Sequence, residues 1–152
     1  MTRVYRLVRA ERAAEAFSGD GARLFGGHWN PPGFSVVYAS ASRSLAVLET
    51  FVHLTLEARA MRFLLYEIAL PVRPKLRHVQ EKYRSHMPRG IDSTWEIGRS
   101  WFQDGQSLAL VVPSVIIPQE ANYVLNVRHG QFSQLRISEP EAFSFDERLW
   151  AP

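Results

Sequence analysis

Apolar residues in this chain come in short runs of two different periods, and the switching between them lays out a series of strands and helices. Residues 4–8, Val4-Tyr5-Arg6-Leu7-Val8, predict an opening strand, apolar except for the arginine at its centre. Residues 9–17 are rich in alanine and glutamate and predict a short helix or turn. Residues 35–39, with their valines and tyrosine, predict a second strand. Leu45, Leu48 and Val52 repeat at three and four, the period of a helix that Ser42 or Ser44 can cap. Residues 61–70 form the longest expected strand, stopped by Pro71, and residues 72–90 are polar, basic and expected as a loop with one short helical turn. Ser93-Thr94-Trp95-Glu96 has capping-box spacing, and the helix it opens carries Trp95, Gly98, Trp101 and Phe102 on one face, ending near Gly105. Further strands are expected at residues 107–113, with a continuation at 115–117, and at 122–127, 135–137 and 142–145; the tail packs through Leu149 and Trp150. Strands and helices in this order predict a single α+β domain with a mixed, largely antiparallel sheet.

Residues 18–33 break the pattern. Five glycines and two prolines fall there beside Arg23, His28, Trp29 and Asn30. So much Gly and Pro gains nothing from a regular helix or strand, and predicts a shaped loop that holds its polar groups outward. A short strand and the helix carrying Glu49 follow directly. Glu49 adjoins Leu48, so it sits at the edge of the buried stripe, where a carboxylate can line a cleft.

Composition narrows the class. At 152 residues, 46% hydrophobic and 22% charged, the chain suits one globular domain spanning residues 1–152. The opening Met1-Thr2-Arg3-Val4-Tyr5-Arg6 carries no apolar leader, and no stretch approaches the roughly 18 consecutive apolar residues of a membrane span. The absence of cysteine fits a cytoplasmic protein. Lys75 and Lys82 are the only lysines among 18 basic residues. That bias fits either a GC-rich coding preference or arginine's suitability for phosphate and carboxylate. The arginines are scattered rather than clustered, which argues against direct nucleic-acid binding.

Several chemistries drop out. His28, His53, His78, His86 and His129 have no ligand spacing, so no metal is expected. The Gly-rich segment lacks the Lys-Ser/Thr of a P-loop, and there is no serine nucleophile elbow. What remains is Arg6, Arg23, Trp29, Tyr38, Glu49 and Ser114. A lone carboxylate among arginines suits an anionic ligand in which a cation develops. Cleavage of the nicotinamide–ribose bond of NAD makes that demand: arginine forks clamp the phosphates, an aromatic stacks on nicotinamide, and the carboxylate faces the cationic sugar.

The motifs Val4-Tyr5-Arg6, Phe17-Ser18-Gly19-x-Gly21-Ala22-Arg23-x-x-Gly26-Gly27-x-Trp29-Asn30, Val36-Val37-Tyr38-Ala39-Ser40 and Ser44-Leu45-Ala46-Val47-Leu48-Glu49 resemble the RES-domain family. Val112-Pro113-Ser114, Asn122-Tyr123-Val124-Leu125-Asn126-x-x-His129 and Phe145-Asp146-x-Arg148-Leu149 continue the resemblance in order along the chain. It implies an ADP-ribosyltransferase-like fold and a bacterial toxin neutralised by an antitoxin with a helix-turn-helix domain. It further implies that the toxin consumes NAD by hydrolysis or phosphorolysis, or transfers ADP-ribose to a protein acceptor; the alternative of another class is a catalytically impaired binding module. By motif, Glu49 would be the catalytic carboxylate, Tyr38 the nicotinamide-side aromatic, Ser114 a hydrogen bonder to the ligand, and Arg6 a phosphate or ribose contact. Where the family usually reads Gly-Gly-Arg-Trp-Asn, this chain has Gly27-His28-Trp29-Asn30. Histidine is shorter and cannot make a bidentate fork, so NAD affinity or turnover should fall if that arginine held the pyrophosphate. Three accounts of the difference stand open: a tolerated natural variant, rescue by Arg23, or a substitution that let a toxic protein be produced. Trp29 is expected to pack, and His53, His129 and Asn126 to make structural hydrogen bonds.

Overall fold

Among the described residues eight strands form one mixed sheet, in which the pair Leu76–His78 and Ala109–Pro113 is parallel and the other pairings are antiparallel. The computed structural model of the chain describes residues 1–80, 83 and 91–151, the side chains of Ile91 and Asp92 aside. The strands are β1 (Arg3–Arg9), β2 (Val36–Ser40), β3 (Phe63–Ala69), β4 (Leu76–His78), β5 (Ala109–Pro113), β6 (Ala121–Asn126), β7 (Arg136–Ile137) and β8 (Glu141–Phe143). Their order is β4-β5-β6-β2-β1-β3-β7, with β8 also paired to β3. Among the described residues three α-helices accompany them, α1 (Asp20–Phe25), α2 (Arg43–Phe51) and α3 (Ile91–Asp104), beside short 3-10 turns. The α+β architecture with a largely antiparallel sheet is therefore as the sequence predicts.

Strand alternation divides the core. On one face of the sheet Val4, Val37, Ala39, Ile68, Leu108 and Leu125 pack together. On the other, Val36, Leu110, Val112 and Val124 meet Trp101 of α3 and Trp29 of the Gly-rich segment. Leu7, Phe63 and Leu65 meet Ala46 of α2 and Phe145. Ser42, of the two serines able to cap α2, is the one that does: its Oγ accepts from the Leu45 N–H at 3.1 Å.

Several expectations are corrected. Residues 20–25 form α1 rather than loop, because Gly19 takes a left-handed φ of 76° and Ser18 Oγ accepts from the Asp20 N–H at 3.1 Å. Leu76–His78, expected within a loop, is a strand beside β5. Its short, charged sequence carries no alternation to announce it. Helix α3 is already under way at Ile91, so Ser93 lies inside it rather than at its N-cap; Gly105, φ 64°, ends it as expected. Residues 115–117 bend away from the sheet instead of continuing β5. The tail packs through Trp150, stacked on Phe51 at 6.3 Å, while Leu149 is exposed. The helical turn expected before Gly90 falls mainly on residues outside the described ones, as does His86.

Candidate active site

The seam between β1 and β2 makes the site. On its other flank β1 pairs with β3 from Arg3 to Arg9, but towards β2 the register holds only at Tyr5 opposite Ser40. Beyond that pair the strands part, and the Arg6 side chain takes the place of the missing ladder. Its Nε donates to the Ala16 carbonyl at 2.8 Å and a terminal nitrogen donates to the Tyr38 carbonyl at 2.9 Å. Alternation puts Arg6 on the face shared with Val4 and Val8, opposite Tyr5 and Leu7. All three nevertheless line one cavity, since Arg6 reaches it through the parted seam.

That cavity has a volume of about 770 Å³ and also takes in Tyr38, Glu49, His28, His53 and Asn122. Arg6 is braced by neutral carbonyls, and among the described residues no carboxylate pairs with it. Burial pulls its pKa down to about 10, leaving it charged at neutral pH. A half-buried, fixed cation opening into a cavity invites an anion.

Glu49 stands on α2 and lines the cavity, but the buried stripe expected beside it is not there: α2 buries Leu45 and Ala46, while Leu48 and Val52 are exposed. Its Oε1 accepts from Ser114 Oγ at 2.6 Å and from Asn122 Nδ2 at 2.8 Å. Ser114 is buried behind Glu49 and does not line the cavity. Its oxygen accepts from the Ile116 and Ile117 N–H groups at 3.1 and 3.0 Å, so its one proton goes to Glu49. The hydroxyl that the resemblance assigned to the ligand holds the carboxylate here.

Tyr38 presents its ring and withholds its hydroxyl. That group donates to Asn30 Oδ1 at 2.6 Å and accepts from the Trp29 N–H at 3.0 Å, and burial raises its pKa well above the ordinary value. Phenolic proton transfer is thereby disfavoured, and an aromatic surface remains. Gly27 leaves room for this arrangement, because a Cβ there would lie 2.6 Å from the Tyr38 hydroxyl.

Helix α3 fixes the segment bearing His28. Trp95 Nε1 donates to the Gly27 carbonyl at 2.6 Å and Thr94 Oγ1 to the His28 carbonyl at 2.5 Å. Gly98 lets the helix approach so closely that a Cβ would sit 1.5 Å from the Trp29 carbonyl oxygen. Trp29 itself is core, as expected. His28 lines the cavity; burial lowers its pKa, opposed by the charge of Glu49, so the imidazole is neutral near pH 7.

Among the other residues singled out in the sequence, Arg23 does not join the site. It lies exposed on α1, 3.4 Å from Asp20. Arg9, unremarked in the sequence, lines the cavity in its stead, and so does His53, expected to be structural. His129 Nδ1 accepts from the Gln131 N–H and Asn126 Oδ1 from the Arg128 N–H, both tying turns as expected. Asn122 and Ser40 were missed as site residues. The signal for them was a polar residue at the matched ends of two apolar strands. Among the described residues no cluster of His, Cys, Asp or Glu could hold a metal ion, and no helix is long and apolar enough to cross a membrane.

Comparison with known proteins gives this geometry its family. The RES domain profile matches residues 3–146. The chain belongs to the RES domain family. A "Toxin Res" of Yersinia enterocolitica is 36% identical over 151 residues, covering 96% of this chain and 98% of that one. A "Prs ADP-ribosylating toxin" of Sphingobium is 33% identical, covering 97% and 96%. Among solved structures, the M. tuberculosis MbcT–MbcA toxin–antitoxin complex contains a similar fold, with a TM-score of 0.76 at 19% identity over 93% of this chain and 84% of that one. The RES-type toxin expected from the motifs stands, as does the fold expected with it.

Proposed function

We propose that this RES-family chain is the toxin of a toxin–antitoxin pair and consumes NAD by breaking its nicotinamide–ribose bond. The observation that carries the proposal is that Glu49 and Arg6, the latter without a carboxylate partner among the described residues, open into one cavity of a size that suits a small-molecule ligand. Arg6, with Arg9 nearby, would hold the pyrophosphate, and the ring of Tyr38 would face nicotinamide. As the bond between ribose C1′ and the pyridinium nitrogen breaks, its electron pair neutralises the ring and leaves a cationic ribosyl carbon. The Glu49 carboxylate stabilises that charge. Water or phosphate then supplies an oxygen to C1′ and loses its proton to solvent. His28 lines the wall uncharged at neutral pH, so this site works with less positive charge there than an arginine would bring.

The test is nicotinamide release from NAD by the purified chain. Glu49→Gln should lower it about 100- to 1,000-fold, the usual cost of removing one such electrostatic contact. His28→Arg should tighten the KM for NAD. NAD left intact by both the parent and His28→Arg would refute the reading.

Transfer of ADP-ribose to a protein side chain is a second reading, favoured by the name of the Sphingobium relative. It differs only in the nucleophile, and label passing from NAD to a protein band would establish it. The partner in either case would be a helix-turn-helix antitoxin covering the cavity mouth, where Val52 and Val115 present exposed apolar surface. Cytoplasmic action accords with both readings.

A further inference from the structure

The end of the sheet beneath Glu49 holds two polar residues that the proposed chemistry has not used. Ser40 closes β2 and Asn122 lies near the start of β6, directly opposite one another in the antiparallel register. Residues so placed project from the same face within side-chain reach. Ser40 Oγ donates to Asn122 Oδ1 at 2.7 Å, and Asn122 Nδ2 donates to Glu49 Oε1 at 2.8 Å. Ser40, Asn122 and Ser114 are all at or near full burial or line the cavity wall, so solvent offers them little competition.

Each proton in this cluster has one sensible direction. The Asn122 amide could in principle sit either way round. Turned over, it would set its carbonyl oxygen against the carboxylate and its NH2 group against the Ser40 hydroxyl. The carboxylate only accepts, so it selects the orientation that aims Nδ2 at Glu49, and the Ser40 hydroxyl, able to donate or accept, then gives its proton to Oδ1. Ser114 and Asn122 converge on the same oxygen, Oε1, and among the described residues Oε2 accepts no hydrogen bond. The carboxylate is thus pinned by one oxygen and free at the other, on a side chain that lines the cavity.

We propose that Ser40 and Asn122 form a positioning relay that fixes the rotation of the Glu49 carboxylate and presents Oε2 to the ribosyl carbon. Neither is a catalytic residue; both act through Glu49. As to what is turned over, the inference rests on the NAD-cleaving reading, but the relay itself is a statement about Glu49 and can be tested apart from it.

The kinetic arm uses four variants of the full chain. Asn122→Ala should lower kcat for NAD cleavage about 100-fold, the scale on which a misplaced reacting group is felt, with KM within about two-fold of the parent. Asn122→Asp matches the parent in shape yet sets an acceptor against the carboxylate, so it should be worse than Asn122→Ala. Ser40→Ala should lower kcat roughly 5- to 10-fold, and Ser40→Thr, which keeps the hydroxyl, should recover most of that loss. If Asn122 serves only to fill space, the isosteric Asp is the benign substitution, and that ranking overturns the relay. So does a loss confined to KM.

The second arm does not need turnover. In NMR spectra the side-chain amide protons of Asn122 should move on Glu49→Gln and again on Ser40→Ala. If the parent leaves NAD intact, the enzymatic reading fails while this arm still decides the relay. Amide resonances that ignore both substitutions overturn it.

Discussion

The two flanks of β1 are built from neighbouring residues and behave in opposite ways. Towards β3 the strand is zipped from Arg3 to Arg9, and Val4, Leu7, Ile68 and Leu65 are buried along it. Towards β2 the ladder holds at Tyr5 and Ser40 and then gives way to a guanidinium. The closed flank uses backbone pairing and apolar contact, which are regular and self-sufficient. The open flank substitutes one long charged side chain for several ladder bonds, and so gains a cavity with a fixed cation in its wall. The same strand thus supplies the sheet's stability on one side and the wall of its candidate site on the other.

Arg6→Met should break the open flank most severely. It removes the brace across the seam and the cation together, and should lower NAD turnover about 100- to 1,000-fold while destabilising the fold by about 1–3 kcal/mol through two buried carbonyls left unpaired. Chemical denaturation and nicotinamide release measure the two effects separately. Gly98→Ala acts on the same side from a distance, since its Cβ would collide with the Trp29 carbonyl oxygen. A cost of about 1–3 kcal/mol is expected from overpacking, with a rise in KM as α3 pushes the His28 segment out of place; an unchanged melting temperature would show that the clamp is slack.

Ile68→Val is the control on the closed flank. Ile68 is fully buried opposite Val4, and losing one methyl should cost about 0.5–1.5 kcal/mol with no change in turnover per folded molecule. The gentlest effect belongs to His28. Burial lowers its folded pKa below the ordinary 6.5, so below that pH the unfolded chain binds the proton more readily than the folded one. Stability should therefore fall as pH drops through 6.5, and His28→Gln should remove that part of the slope in urea unfolding followed against pH. A slope that survives in His28→Gln would assign it to another group.

Much of this could be read from the residues in order. Val36 and Val37 beside Tyr38 and the three-and-four spacing of Leu45, Leu48 and Val52 place a strand and a helix next to each other with Glu49 on the helix, although of those three only Leu45 is buried. Arg6 announces itself as a charge inside an apolar strand. Arg23 shared the same motif-rich segment and the same residue type, yet α1 turns it outward to Asp20. Helix α1 itself was hidden because its flanking glycines signal irregular chain, although Gly19 in the left-handed region is what lets the helix begin. Asn122 and Ser40, 82 residues apart in the chain, become neighbours only when β6 pairs with β2.

The sequence alone determined most of the elements, the family and the residue types of the candidate site, because hydrophobic period, turn residues and motif order are local properties of the chain. Tertiary structure decided which arginine faces the cavity, that Ser114 holds the carboxylate from behind, and that β1 and β2 part company after one pair. Those outcomes depend on strand register and on which side chain fills a gap, and both are settled by residues far apart in the chain meeting in the folded sheet.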